Sequence, residues 1–217
     1  MNPHRQQKGF SLVELIIVIA VMSILIGMSG YALSTLSSTS LSTSTREVAD
    51  FMNLCRSHAI SQHTVVRFGI VTELKDPQSD PDAPYRAYSS WSWNKIRKQY
   101  EQSSRWRQLP SDVVFEPEPD HFIRDAEYAR DDASSVRGDH FVDQYERGKE
   151  FVVDSPNGRA EVRFMEFTSS GRARVPTGEK RNILLVLKPG NRGPSAPENW
   201  AQLNIDRFTG RVRTYRP

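Results

Sequence analysis

The longest uncharged stretch is the feature that most constrains this chain. Residues 15–45 contain no Asp, Glu, Lys or Arg, although charged residues make up 25% of the 217-residue sequence. A helix over residues 10–30 would be about 31 Å long, roughly the thickness of a bilayer's hydrocarbon core. We therefore predict a single membrane span over about residues 10–33, followed by one globular head.

The charges on either side of this span predict its orientation. His4, Arg5 and Lys8 precede it, and no charged residue follows it until Arg46. By the positive-inside rule, the N-terminus stays in the cytoplasm and the long C-terminal part lies across the membrane. One acid, Glu14, lies near the start of the span, where a charge costs on the order of 3 kcal/mol at mid-bilayer and less near the interface.

An ordinary secretory signal peptide is the simplest alternative, with cleavage after small residues at 27–29. The sequence KGFSLVE at residues 8–14 favours a different signal, because a glycine–aromatic junction precedes the apolar run and an acid follows it closely. This arrangement resembles the class III signal of type IV prepilins and pseudopilins.

The resemblance implies a specific processing of the N-terminus. In that family a membrane-embedded prepilin peptidase cuts after the glycine and methylates the new amino terminus. Here it implies a leader at residues 1–9, cleavage between Gly9 and Phe10, and N-methylation of Phe10. It also gives Glu14 an assembly role, since this acid can meet the terminal ammonium of a neighbouring pilin or pseudopilin in the fibre, and each buried charge then offsets the other.

The segment after the span could be a linker or more helix. Residues 34–45, STLSSTSLSTST, are poor helix formers, but we expect the helix to continue to about Gln62. The only cysteine lies in this second half and is interpreted as a small core residue, not a reactive thiol. The apolar residues that recur at helical spacing there are Val48, Phe51, Met52, Cys55 and Ala59.

Residues 63–217 are predicted to form a β-rich head, because short β-branched and aromatic runs alternate with turn signals. The basic, aromatic segment 94–107 is interpreted as a solvated turn with Trp106 packed inward, in preference to a base-stacking surface. The fold class is therefore α+β, with a long N-terminal helix packed on antiparallel sheets. Predicted strands are 64–71, 85–93, 113–115, 151–153, 160–167 and 183–187, with a closing hairpin at 202–215.

Charge is distributed unevenly along the head. Residues 112–150 carry twelve acids against five Lys or Arg, whereas residues 151–217 carry six acids against twelve. We interpret the acidic stretch at about 116–148 as a solvated insertion. A metal site is the alternative, although the spacing matches no EF-hand loop, and we predict neither metal nor cofactor. Its candidate ligands are His121, Asp131, Asp132, Asp139, His140 and Asp143.

Four patches sharpen the resemblance to the GspH/FimT group of pilin-like proteins. They are LCRSHAI at residues 54–60, WRQLP at 106–110 with VVF after it, FTSSG at 167–171, and TGRVR at 209–213. The group implies a head of two β-sheets beside the helix. It also implies an H-like minor pseudopilin of type II secretion, in a short periplasmic fibre that is anchored in the inner membrane and helps export folded proteins.

The C-terminal hairpin supports an alternative function. In FimT-like minor pilins of type IV pili, a Gly-Arg-x-Arg motif here is associated with DNA binding for transformation, and residues 210–213 match it. Strand alternation would place Arg211 and Arg213 on one face, where both could contact phosphates, with Arg207 and Arg216 nearby. An edge strand protected by charge is the simpler explanation, and we favour it. A third alternative is an anchored receptor that never polymerises.

An enzyme is not expected. The sequence contains no glycine-framed nucleophile, HExxH motif or phosphate-binding loop, and its Ser, His and Asp residues form no recognisable constellation. We therefore assign no catalytic residues.

Overall fold

The computed structural model describes residues 12–75, 84–117, 139–140, 151–155, 158–175, 182–190 and 199–216, without the side chains of 24–38 and 139–140. The described residues form one α helix and twelve strands in two sheets. The chain divides into two compact units, Met1–Thr39 and Ser40–Pro217.

Helix α1 spans Leu12–Ser61 without interruption, which confirms that residues 34–45 continue the helix. It ends one residue before the predicted Gln62. His63 takes a left-handed conformation, with φ of 48°, and donates its N–H to the Ile60 carbonyl. The Thr64 N–H reaches back to the Ala59 carbonyl at 3.1 Å. This is the usual way to close a helix, although glycine is the commoner residue at that position.

The first unit contains the N-terminal part of α1. Its described apolar side chains are exposed, from 74% at Leu12 to 50% at Val21. In the part of the chain that is described, we find no helical stretch with both the length and the apolarity of a membrane span. The predicted span includes residues 10–11 and the side chains of 24–33, which lie outside that part.

The second half of α1 is amphipathic, as predicted. One side of this half is buried in the second unit, and the six apolar residues that form the buried side are each at most 3% exposed. Exposed polar residues such as Arg46 and Asp50 occupy the other side. The buried residues are Leu41, Val48, Phe51, Met52, Cys55 and Ala59.

The strands overlap the predicted ones and add several short ones. In chain order they are β1 Val66–Leu74, β2 Ala87–Asn94, β3 Gln99–Gln102, β4 Arg107–Gln108, β5 Val113–Phe115, β6 Asp139–His140, β7 Val152–Ser155, β8 Gly158–Phe167, β9 Ala173–Arg174, β10 Asn182–Pro189, β11 Ala201–Asp206 and β12 Val212–Tyr215.

All strand pairings but one in the two sheets are antiparallel among the described residues, which confirms the α+β prediction. The first sheet has the order β3-β2-β1-β8-β7, with β4 also paired to β2 and β9 to β8. The second has the order β12-β11-β10-β5. Among the described strands, the one parallel pairing is the two-residue contact of β6 with β10.

The interpretation of residues 94–107 as a solvated turn was wrong in part. Only residues 95–98 form the turn, while β3 and β4 both pair with β2 and extend the first sheet. Strand β3 was not predicted from the sequence because charged and amide side chains surround Tyr100, so the strand lacks an alternation of apolar and polar residues.

The main core lies between α1 and the inner faces of both sheets. Strand β1 shows the alternation clearly, since Val66, Phe68 and Ile70 enter this core. Phe51 of α1 packs edge-on against Phe68 and Tyr88, with ring centroids 6.0 and 5.4 Å apart. Such pairs add to the hydrophobic burial that holds the helix to the sheet.

A smaller cluster covers the other face of the first sheet. Trp91 is 3% exposed there, and Trp106 packs edge-on against it at 5.4 Å, so the inward packing of Trp106 is confirmed. Beside this cluster the Glu166 carboxylate accepts hydrogen bonds from Tyr100 at 2.8 Å, Arg174 at 2.6 Å and Arg67 at 3.1 Å.

Candidate functional site

The β11–β12 hairpin carries the predicted functional arginines, and its turn is closed by Asp206. The Asp206 carboxylate accepts the N–H groups of Phe208 at 3.0 Å and Thr209 at 2.8 Å. The Gly210 N–H donates to the Asp206 carbonyl at 2.7 Å, and Gly210 has φ of 63°. A short acid that caps its own turn and a glycine at positive φ are what a tight turn requires.

Arg56 of α1 fastens this turn to the head. Its Nε donates to the Thr209 carbonyl at 2.7 Å and lies 3.3 Å from the Gly171 carbonyl. The two glycine turns lie so close that a Cβ at Gly210 would be 2.1 Å from the Gly171 oxygen. Three of the four sequence patches, at residues 54–60, 167–171 and 209–213, therefore meet at one point.

The fourth patch, WRQLP, also contacts the helix. Arg107 donates to the Glu47 carboxylate at 3.1 Å, and the Tyr88 hydroxyl donates to the same oxygen at 3.2 Å. Arg107 also lies over the Phe51 ring, 4.8 Å from its centre. Burial raises the pKa of Tyr88, so this hydroxyl stays a donor at physiological pH.

The structure separates the four arginines of the hairpin. Arg211, Arg213 and Arg216 are exposed, whereas Arg207 is half-buried and its carbonyl accepts the Ala173 N–H at 2.9 Å. Alternation along the strand places Arg211 and Arg213 on the same face. The exposed cations therefore lie within β12 or directly beside its ends, whereas Arg207 lies in the turn that follows β11.

Cys55 is buried in the core of the head. Cys55 is 3% exposed, and burial raises the pKa of its thiol to about 12, which confirms the interpretation as a core residue. A groove of about 340 Å³ passes above it. The groove is lined by Phe51, Leu54, Cys55, Ser57, His58, Ser61, Ser90, Ser103 and Ser104.

The remaining predicted residues lie elsewhere. Gly9 and Phe10 fall outside the described residues. Glu14 is exposed in the first turn of α1, where its negative charge interacts favourably with the positive end of the helix dipole. Of the metal hypothesis, only Asp139 and His140 are described, as the backbone of β6. Among the described side chains, no cluster of three or more His, Cys, Asp or Glu residues could hold a metal ion.

Arg56 and Arg107 were missed by sequence reasoning as contact residues. Arg56 is not among the apolar residues that recur at helical spacing, and its acceptors lie 115 and 153 positions further along the chain. The available signal was that each of the four patches contains an arginine or a glycine, which marks the segments but does not show that three of them meet.

Comparison with known proteins supports the N-terminal signal directly. Residues 4–30 match the family model described as the prokaryotic N-terminal methylation motif. This match confirms the predicted type IV prepilin signal. No curated protein sequence matches the chain.

Two solved structures of the minor pseudopilin EpsH, from the type 2 secretion system of Vibrio cholerae, are similar to this chain. One is 12% identical, with a TM-score of 0.43, and the alignment covers 82% of this chain and 97% of that one. The other is 13% identical, with a TM-score of 0.41, and covers 83% and 96% respectively.

Proposed function

We propose that this chain is a minor pseudopilin, the H-like subunit of a type II secretion system. The observation that carries the proposal is the methylation motif at residues 4–30. A prepilin peptidase that cuts after Gly9 would leave α1 whole, whereas a signal peptidase acting at 27–29 would remove its first turns. The subunit would act in a periplasmic fibre and have no catalytic role.

The anchoring part of the proposal rests on the N-terminal half of α1. Residues 15–45 are uncharged, and the described apolar side chains up to Met22 are exposed within the chain. Such a surface is stable in the inner membrane or against neighbouring helices, but costly in water. Glu14 would then pair with the terminal amine of a neighbouring subunit, because a lone charge there is costly.

Glu14→Leu tests the assembly step. The variant should stay in the membrane fraction, since the span becomes more apolar, and should be lost from sheared fibres. Asp50→Leu is the matched control, because it removes an exposed acid from the second half of the same helix. Recovery of Glu14→Leu in fibres at the wild-type level would contradict the assembly role.

A strain that lacks the protein tests whether the chain belongs to a type II secretion system or to a type IV pilus. Loss of exported proteins from the culture supernatant, with unchanged transformation, is expected for a type II secretion subunit. The opposite pattern would assign the chain to a type IV pilus.

DNA binding is the second candidate, and the exposure of Arg211, Arg213 and Arg216 favours it. Full-length protein in detergent should then retard duplex DNA at low salt and lose affinity steeply as salt rises. An Arg211→Gln, Arg213→Gln double variant should bind all DNA sequences more weakly. Equal retardation of DNA by the wild-type protein and the double variant would exclude this surface as the DNA-binding site.

A further inference from the structure

Strand β12 forms one edge of the second sheet. Within the part of the chain that the structure describes, it pairs with β11 alone. Arg213 and Thr214 in its centre are exposed. An edge strand presents N–H and C=O groups that can pair with another strand.

The hydrogen-bond register shows which groups of β12 face outward. The Asp206 N–H donates to the Arg211 carbonyl at 3.0 Å, so these two residues form a hydrogen-bonded pair between the strands. Hydrogen-bonded and open pairs alternate along an antiparallel ladder. Arg213, opposite Asn204, therefore bonds to β11, whereas Thr214, opposite Leu203, directs its N–H and C=O away from the sheet.

The charge of this edge selects the partner. Residues 207–216 contain four arginines and no acid, and the neighbouring Asp206 carboxylate is already bonded within its turn. A second copy of β12 or any basic strand would be repelled. A strand with carboxylates at alternate positions would place them beside Arg211 and Arg213, and opposite charges across a strand pair are stabilising.

The edge is also held in place before any partner arrives. Arg56 binds the turn through the Thr209 carbonyl, and the close contact of Gly210 with Gly171 fixes the hairpin against the helix. A strand that is already ordered loses little conformational freedom on binding, which favours association.

We propose that β12 binds an acidic, extended segment of another polypeptide, which adds to the second sheet as a further strand. Main-chain hydrogen bonds at Thr214 would supply the register, and Arg211 and Arg213 would supply the selectivity for acidic side chains. The proposal does not depend on the secretion assignment, because it rests on the geometry of the hairpin alone.

The first test measures binding of a fluorescent peptide of alternating Thr and Glu to the full-length protein in detergent. Fluorescence anisotropy should show saturable binding, and the same peptide with Lys in place of Glu should not bind. The Arg211→Gln, Arg213→Gln variant should bind about tenfold more weakly, as expected for the loss of two cross-strand charge pairs.

The second test separates strand addition from simple charge attraction. Thr214→Pro removes an outward N–H but no donor to β11, and should abolish peptide binding, whereas Thr214→Ala should not change it. A peptide N-methylated at alternate residues blocks the same hydrogen bonds from the partner's side and leaves the protein unaltered. It should not bind, even if Thr214→Pro disturbs the hairpin.

Three results would overturn the proposal. They are no binding of the acidic peptide, equal binding of its N-methylated form, or tight binding of duplex DNA without any binding of the peptide. The last result would assign the arginines to phosphate contacts instead.

Discussion

The two halves of α1 are both rich in apolar residues, yet they differ in what covers those residues. Ile16 in the first half is 56% exposed, whereas Phe51 in the second half is 2% exposed and packed among aromatic rings. In the second half most apolar residues lie on the buried side of the helix, with Leu54 and Ile60 as exposed exceptions, whereas in the first half the apolar residues up to Met22 are exposed all around it. The chain therefore buries one side of the second half by itself and leaves the described apolar residues of the first half uncovered.

This difference explains why fold and function are encoded in different places. The second half of α1 specifies how the head packs, and its substitution should affect stability. The first half carries the methylation motif and should affect processing, anchoring and assembly.

The largest expected effect comes from breaking the buried half. Phe51→Ala should lower the free energy of unfolding by about 3–5 kcal/mol, because it removes a ring from the centre of the core. Ile16→Ala is the matched control and should leave unfolding nearly unchanged. Urea unfolding of the detergent-solubilised protein, followed by tryptophan fluorescence, measures both, and equal losses would contradict the comparison.

A second change tests whether the hairpin is held to the buried half. Gly210→Ala should cost about 2–4 kcal/mol in the same assay, because the residue has positive φ and its Cβ would meet the Gly171 carbonyl. Gly190→Ala should cost less than about 1 kcal/mol, since the nearest atom to its Cβ would belong to the Val114 side chain at 3.2 Å and the nearest backbone atom would be 3.4 Å away. Similar costs at the two glycines would show that the turn is not tightly held.

The third comparison concerns the free energy of unfolding that the head gains from the polar contacts of Glu166, which lie away from α1. Burial alone would raise the pKa of Glu166, but the Tyr100 hydroxyl and two arginines hold that pKa below its ordinary value of 4.5. Its contribution to stability is therefore present above about pH 4.5 and is lost as the pH falls through the lowered pKa.

Glu166→Gln should accordingly destabilise the protein by about 1–2 kcal/mol at pH 7 and flatten the fall in stability under acid. Glu73→Gln is the control, because the Glu73 side chain is 62% exposed and its ion pair with Lys75 should contribute little. An unchanged acid profile in Glu166→Gln would assign that fall to other groups.

The smallest effect is expected where α1 ends. His63→Gly should raise the free energy of unfolding by about 0.5–1 kcal/mol, because glycine adopts positive φ without strain. His63→Ala should not stabilise, since alanine keeps the Cβ. A lower melting temperature for the glycine variant would show that the His63 side chain contributes a contact of its own.

The fold was largely predictable because its signals are local. Helical spacing located the buried side of α1, a β-branched run located β1, and apolar segments bounded by turn signals located β8 and β10. Strand β3 was missed because charge conceals its alternation. The contact of Arg56 with both glycine turns was also missed, because it joins segments up to 153 positions apart and no local pattern encodes that meeting.

The predicted functional residues differ in whether the sequence alone or the structure was needed to interpret them. The methylation motif is a short, ordered pattern and needs no structure to be recognised. The separation of Arg207 from Arg211 and Arg213 depends on where the turn lies, because Arg207 is within the turn that follows β11, whereas Arg211 and Arg213 come after Gly210, directly before and within β12.

The intact mass of the mature protein extracted from membranes tests the pseudopilin proposal most directly. The mature chain should begin at Phe10 with a methylated amine, and a Gly9→Val variant should stay unprocessed because the branched side chain crowds the cleavage site. A mature chain that begins beyond Gly27 would show that an ordinary signal peptidase had acted, and would contradict the pseudopilin assignment.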